Sequence, residues 1–253
     1  MFTLNHFIWL AICAAFIVGL MLVAKKFKFD YQKALITVLV ISFLSETCKI
    51  FSRIQNVYNE DGELVAGVLE ASALPLHLCS IVIFLLIYLF VTKSDAGREA
   101  VKSFVALVAI LGSIMAMLIP ISGVGFKSIE TYQAFLYHAG IMWFSIYLIS
   151  TKQVDLGLKA YKRNLLTMAA LVIVMIWVNS ALQRYDTNFF FIVKPPMPDL
   201  PILNLDNGWH VYFLTLVVVA LTLVSLFHLP FIIAEIKQKK KELSEKEEIT
   251  SAN

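Results

Sequence analysis

The sequence predicts an all-α polytopic membrane bundle of seven transmembrane helices, with the N-terminus outside and the C-terminus cytoplasmic. Three observations lead there. Of 253 residues, 59% are hydrophobic and 15% are charged, with a mean hydropathy of +0.79. A soluble domain of this size needs more charged surface. The apolar residues fall in blocks of about 17 to 20, long enough to cross a bilayer core as helix. The basic residues flank those blocks and gather on alternate connections, as membrane topology requires. The net charge of +3 therefore gives no sign of a nucleic-acid partner.

Read in order, the blocks place helices at about 7–24, 34–51, 74–91, 103–120, 133–150, 164–183 and 209–231, with ends uncertain by about two to four residues. The first block, Phe7 to Ala24, lacks a basic segment before it and is followed by Lys25, Lys26 and Lys28. It reads as a retained first helix, not a cleaved signal. Pro75 suits the first turn of helix three. Pro120 with Ser122-Gly123 closes helix four. The longest connection, Arg184 to Gly208, contains Pro195-Pro196 and Pro198-Asp199-Leu200-Pro201. Residues 1–236 form one transmembrane domain. Residues 237–253 form a charged cytoplasmic tail expected to extend into solvent. No internal repeat occurs, and helix seven has no central lysine of the retinal-binding kind.

Placing the N-terminus outside puts sixteen Lys and Arg residues on inner segments and five on outer ones: Lys49, Arg53, Lys127, Arg184 and Lys194. Every inner loop agrees in direction. The expected location is the cell membrane, crossed several times, with membrane lipids as neighbours.

That orientation gives depth to the polar residues, at about 1.5 Å per residue. Glu46 lies about 8 Å below the outer end of helix two, and His138 about 8 Å down helix five. His77 and Cys79 open helix three, Asn179 and Gln183 end helix six, and Trp209-His210 opens helix seven. Five helices thus place polar groups in one outer slab, whereas His228 is the main polar group of the inner half. Polar groups at membrane depth usually mark function or helix contacts. Ordinary interfacial polarity explains Gln183 and His210 but not Glu46 and His138.

The chemistry on offer is limited. His77 and Cys79 are two residues apart, about 200° around a helix, and do not face each other. A Cys79 nucleophile needs a base from another helix, and His138 and His210 qualify by depth. A thiolate beside a histidine supports acyl transfer through a thioester. Alternatively, Cys79 is a small buried apolar residue, or bridges to Cys48. Four of the five histidines (His6, His77, His138, His210) lie toward the outer side. No HExxH or CxxC spacing accompanies them, so neither a metal nor another cofactor is expected. Glu46 serves as a base or histidine partner, or pairs with Lys49 three residues on.

Leu74-Pro75-Leu76-His77-Leu78-Cys79, His138-Ala139-Gly140, and Asn188-Phe189-Phe190-Phe191-Ile192-Val193-Lys194-Pro195 with Trp209 and Tyr212 resemble the YwaF-type family of bacterial integral membrane proteins. That family is related to the eukaryotic transmembrane protein 164 acyltransferases. The resemblance spans nearly the whole membrane region. It implies a helical membrane fold and, for the eukaryotic relatives, thiol-dependent acyl transfer onto a lysophospholipid, with the nucleophile at Cys79. The sequence departs from the pattern at Trp209-His210, where a proline is expected after the tryptophan. The expected function is a membrane lipid acyltransferase or transacylase acting on phospholipid or lysophospholipid. Cys79, His138 and His77 are its catalytic candidates. Glu46, Asn179, Arg184, Asn188, Lys194 and His210 are its substrate-binding candidates. Lys194 or Arg184 would meet a phosphate from a lid formed by residues 184–208. The alternative is a non-enzymatic transporter or receptor with an outward-facing polar cavity. A transporter would usually show paired repeats and broken helices near the midplane.

Overall fold

The computed structural model describes residues 2–197 and 200–251. Pro198-Asp199 of the longest connection and the last two residues of the tail lie outside the described residues. Among the described residues seven α-helices form: α1 (Leu4–Lys26), α2 (Tyr31–Ser52), α3 (Leu78–Val91), α4 (Asp95–Leu118), α5 (Ile129–Ser150), α6 (Leu158–Ala181) and α7 (Trp209–Ser251). Most begin several residues before the apolar blocks do. Their first turns are polar and capped: Asp30 accepts from the Lys33 amide, and Ser94 from the Gly97 amide. Hydropathy trims such turns, whereas capping starts the helix there.

Among the described residues five helices are long and apolar enough to cross a membrane: α1, α2, α4, α6 and α7 through Glu247. At 14 residues α3 is apolar but shorter. At 22 residues α5 is long enough but richer in polar and aromatic groups, among them Tyr132, Gln133, Tyr137, His138, Ser145 and Tyr147. Its position explains this. It packs against α1, α2 and α4, and Ala139, Ile141, Trp143, Phe144 and Leu148 on it are buried. A helix enclosed by protein need not be apolar all round. The main core joins it to Leu35 and Val38 of α2, Val82 and Leu86 of α3, and Val105 and Val108 of α4.

One departure from an all-helical chain follows α2. Residues Ile54–Tyr58 (β1) and Leu64–Leu69 (β2) pair as an antiparallel hairpin with an irregularity at Val57/Tyr58. Its turn needs Gly62, at φ +79°, and the Asn59 side chain accepts from the amides of Asp61 and Glu63. The alternation of this stretch is short, and apolar residues lie on both faces, so hydropathy alone left it as a connection. Arg53 anchors its base, reaching Glu130 of α5 at 2.9 Å and Glu70 at 3.5 Å.

The tail does not break away after residue 236. The helix α7 runs for 43 residues, through Pro230. Glu235 accepts from the Leu158 amide at 2.9 Å and so caps α6 from a neighbouring helix. Inside, α4, α6 and α7 share a buried polar network. Asn164 donates to the Ser103 carbonyl at 3.1 Å and reaches His228 Nε2 at 3.2 Å, while His228 Nδ1 lies 2.8 Å from the Leu156 carbonyl. The half of the bundle expected to be inner is therefore more polar than depth alone suggested. Ser103 and Asn164 open hydrophobic blocks and so read as helix ends.

The helices α2 and α5 approach each other closely. A Cβ added to Gly140 would lie 2.7 Å from Ile41 Cγ2, closer than real contacts allow. Gly140→Ala is expected to cost about 1–3 kcal/mol through overpacking. The check is thermal unfolding in detergent. Ile41→Ala in the same chain should restore much of the loss, and an unaltered midpoint for Gly140→Ala alone would count against this close approach.

Candidate active site

The site is built from the start of α3. Proline disfavours helical geometry in the residue before it, and Leu74 is extended (ψ 144°). The chain turns through Pro75 and Leu76 and enters helix only at Leu78, with His77 as the N-cap. The expected start at residue 74 is thus four residues early. The later start places Cys79 second in the helix, inside the first turn, where backbone amides are unpaired and the dipole favours negative charge. His77 gives no side-chain cap to those amides.

The neighbouring helix α5 supplies the other half. Tyr137 donates its hydroxyl to the Cys79 carbonyl at 2.6 Å. The next residue, His138, lies close enough to the Cys79 sulfur to interact with it electrostatically. His138 Nδ1 lies 2.6 Å from the Ala134 carbonyl. A carbonyl only accepts, so Nδ1 carries the hydrogen and Nε2 keeps its lone pair for the thiol. Ser113 of α4 donates to the His138 carbonyl at 2.9 Å, so three helices fix this pair. His77 and Cys79 diverge as their spacing requires, and the partner of Cys79 is His138.

Glu46 lies on the facing side of α2, 2.7 Å from Lys49 Nζ. Of the two readings of Glu46, the pair with Lys49 is the one formed. Lys49 also donates to Ser80 Oγ at 3.3 Å. All three cysteines are free, so Cys48 and Cys79 are not bridged.

The long connection between α6 and α7 closes another side. Asn179 of α6 donates to the Phe189 carbonyl at 3.0 Å and accepts from the Phe189 amide at 2.8 Å. Phe190 and Phe191 both have left-handed backbones, at φ +60° and +55°, a conformation that costs a bulky residue about 1–2 kcal/mol. Tyr212 donates to the Phe191 carbonyl, and Trp209 to the Ile192 carbonyl at 2.9 Å, which holds the strained turn. The His77 ring packs edge-on against Phe189, centroids 5.1 Å apart, and tilted against Phe191 at 5.9 Å. Asn179 and His77 therefore shape the aromatic wall.

The remaining candidates make their described contacts within the connection or at the start of α7. Asn188 accepts from the amides of Val193 and Lys194. Lys194 pairs with Asp186 at 2.6 Å, Arg184 stacks over Tyr185 at 4.6 Å, and His210 lies against Trp209 at 5.3 Å. Sequence reasoning passed over Tyr137, Ser113 and Ser80. Only the adjacency of Tyr137 to His138, and of Ser80 to Cys79, could have flagged two of them.

His77 lies in the linker ahead of α3. Burial, then the charges of Lys49 and Arg53, outweigh a hydrogen bond with the Ser72 backbone and push its pKa from 6.5 down to about 4. Between those values the unfolded chain binds a proton that the folded chain refuses, so stability falls as pH drops through this window. His77→Phe is expected to flatten that fall. Unfolding midpoints of both proteins from pH 7 to 4 provide the check, and parallel profiles would refute it.

The family model of the TMEM164 family matches residues 1–228. No curated protein matches the chain, and no solved structure does. With nearly the whole helical region matched and five membrane-length apolar helices, this chain is a membrane protein that belongs to the TMEM164 family.

Proposed function

We propose that this protein transfers acyl groups between membrane lipids through a thioester on Cys79, with His138 as the base. The observation that carries the reading is the juxtaposition of Cys79, at the start of a helix, with His138 on the helix whose Tyr137 bonds the Cys79 carbonyl, with His138 Nδ1 tied to Ala134. It supplies a nucleophile, a base in reach and an orienting group for that base. The family match supports it as well.

The thiol proton passes to His138 Nε2 as the sulfur attacks the ester carbonyl of a phospholipid. The carbonyl π pair moves onto oxygen. When the intermediate collapses, the carbon–oxygen bond breaks, and the leaving alkoxide takes the proton from His138. A lysolipid departs and the acyl group stays on sulfur. An acceptor lysophospholipid hydroxyl then gives its proton to His138 and attacks the thioester. The carbon–sulfur bond breaks, and the thiolate recovers the proton.

In this reading the helices make seven crossings and the site faces the outer leaflet. The sixteen-to-five division of basic residues supports that orientation. So do Lys28 and Lys152, which take left-handed conformations at φ +47° and +56° just past the ends of α1 and α5. Glycine is preferred there, but a cation suits both the helix terminus and the inner face. Residues 184–208 act as the lid. Lys194 is already paired with Asp186. Arg184 has no carboxylate partner among the described residues and is the cation left to meet a lipid phosphate.

Incubation of the detergent-purified protein with phospholipid should yield a hydroxylamine-labile acyl adduct on Cys79, read by intact mass. His138→Gln should slow its formation by about 10²–10⁴-fold. A Cys79→Ala protein that retains full lipid remodelling would sink the covalent route. For the topology, a reporter active only in the cytoplasm should work when fused after Asn253 and fail when fused before Met1; the reverse pattern rejects the orientation.

A further inference from the structure

An acyl-transfer centre needs a nucleophile, a base, and a donor for the negative charge that develops on the carbonyl oxygen. Cys79 and His138 fill the first two places. Lys49 and Ser80, the residue after Cys79, are the neighbouring groups that could fill the third.

Lys49 belongs to the last turn of α2, and its side chain is only 18% exposed. Glu46, one turn earlier on the same helix, balances its charge at 2.7 Å. Charge balance alone needs nothing further. Lys49 nevertheless also crosses to α3 and donates to Ser80 Oγ at 3.3 Å, on the residue that follows the nucleophile. Its charge is close enough to act on both Cys79 and His77.

An ammonium group donates only, so Ser80 Oγ must accept in this contact, and its own hydrogen is left to point elsewhere. Serines inside helices usually return that hydrogen to a carbonyl one turn back. Ser42, Ser145 and Ser180 do so here, onto Val38, Ile141 and Ile176. Among the described residues Ser80 makes no such bond, although it is buried at 5% exposure. A buried hydroxyl polarised by a lysine, with a free hydrogen and next to a nucleophilic sulfur, is a donor prepared for an anion.

We propose that Ser80 donates a hydrogen bond to the oxyanion formed when Cys79 attacks an acyl carbonyl, and that Lys49 is the positioning residue that polarises Ser80. Glu46 fixes Lys49 against α2. This rests on the acyl-transfer reading above. In the step, the sulfur–carbon bond forms, the carbonyl π pair moves onto oxygen, and the thiol proton goes to His138. Ser80 and Lys49 keep their protons throughout.

Two reactions at the same sulfur separate this role from activation of the thiol. Acylation by p-nitrophenyl octanoate passes through a carbonyl oxyanion. Alkylation by iodoacetamide is a displacement at saturated carbon and does not. Both are followed at Cys79 by intact mass on the detergent-purified full-length protein, across a pH series. Ser80→Ala and Lys49→Met should each slow acylation by about 10²-fold. Their maximal alkylation rates at high pH should match wild type, with folding verified by the same unfolding midpoint. Ser80→Thr, which keeps the hydroxyl, should recover most of the acylation rate. Acylation that falls only in step with alkylation, or does not fall, overturns the proposal and leaves the thioester route standing. If wild-type Cys79 alkylates but never acylates, the acyl-transfer reading fails and this assignment fails with it.

Discussion

The close approach of α2 and α5 at Gly140 is the constraint on which the rest of the structure depends. It brings the backbone of α5 against Ile41, and several of the groups that converge near the thiol hang from those two helices. Two residues before Gly140 stands His138, and one before that Tyr137, which holds α3 through the Cys79 carbonyl. From α2 come Glu46, Lys49 and Ser45, the last accepting from Gln133 of α5 at 2.7 Å. In a bilayer, association gains little from hydrophobic transfer, so close packing of small residues and interhelical hydrogen bonds carry more of it. The α2–α5 seam has both. The glycine of the short His138-Ala139-Gly140 segment thus has a packing reason that is separate from any chemistry at its histidine.

A second frame lies toward the other face and explains how the outer helices attach. The apolar sides of α6 and α7 are largely exposed within the protein, as lipid-facing surfaces would be. They are joined to α4 by Asn164, His228 and Ser103, and to each other by Glu235 at the Leu158 amide. Near the opposite end of the same helices, Asn179, Trp209 and Tyr212 hold the strained Phe189–Phe191 turn. The α6–α7 pair is therefore tied down at both ends by polar contacts. An unfavourable backbone at Phe190 and Phe191 persists only because three side chains over-determine it. That turn in turn fixes the face against which His77 packs.

Much of this was legible in the sequence because lipid imposes simple rules. Apolar length gave the helices, and depth gathered Glu46, His77, Cys79, His138 and Asn179 toward one level. What depth cannot give is azimuth. It ranked His210 with His138 as a base, and only packing around α5 separates them. It counted Asn188 and Lys194 as available, although the local turn takes up one and Asp186 the other. The four-residue shift produced by Pro75 is a local backbone effect that hydropathy averages away, yet it moves Cys79 into the first turn. The hairpin after α2 was invisible for another reason. Its apolar residues occupy both faces, so no alternation marks it.

The way these contacts are divided supports a chemical reading of Cys79 and His138 over a purely structural one. A structural polar pair usually holds two elements together through its own side chains. Here the backbones are held independently: the Cys79 carbonyl by Tyr137, and the His138 carbonyl by Ser113. The His138 ring is oriented by its own helix through Ala134. Between α3 and α5, the Tyr137 bond remains even if the thiol is removed. The neighbouring charges are arranged likewise, Lys49 against Glu46 and Arg53 against Glu130 and Glu70, so none depends on the thiol for neutralisation. A frame that needs neither the sulfur nor His138 Nε2 leaves both atoms for a reaction. It also predicts that their removal affects chemistry far more than folding, the separation that nucleophile and base exchanges should display.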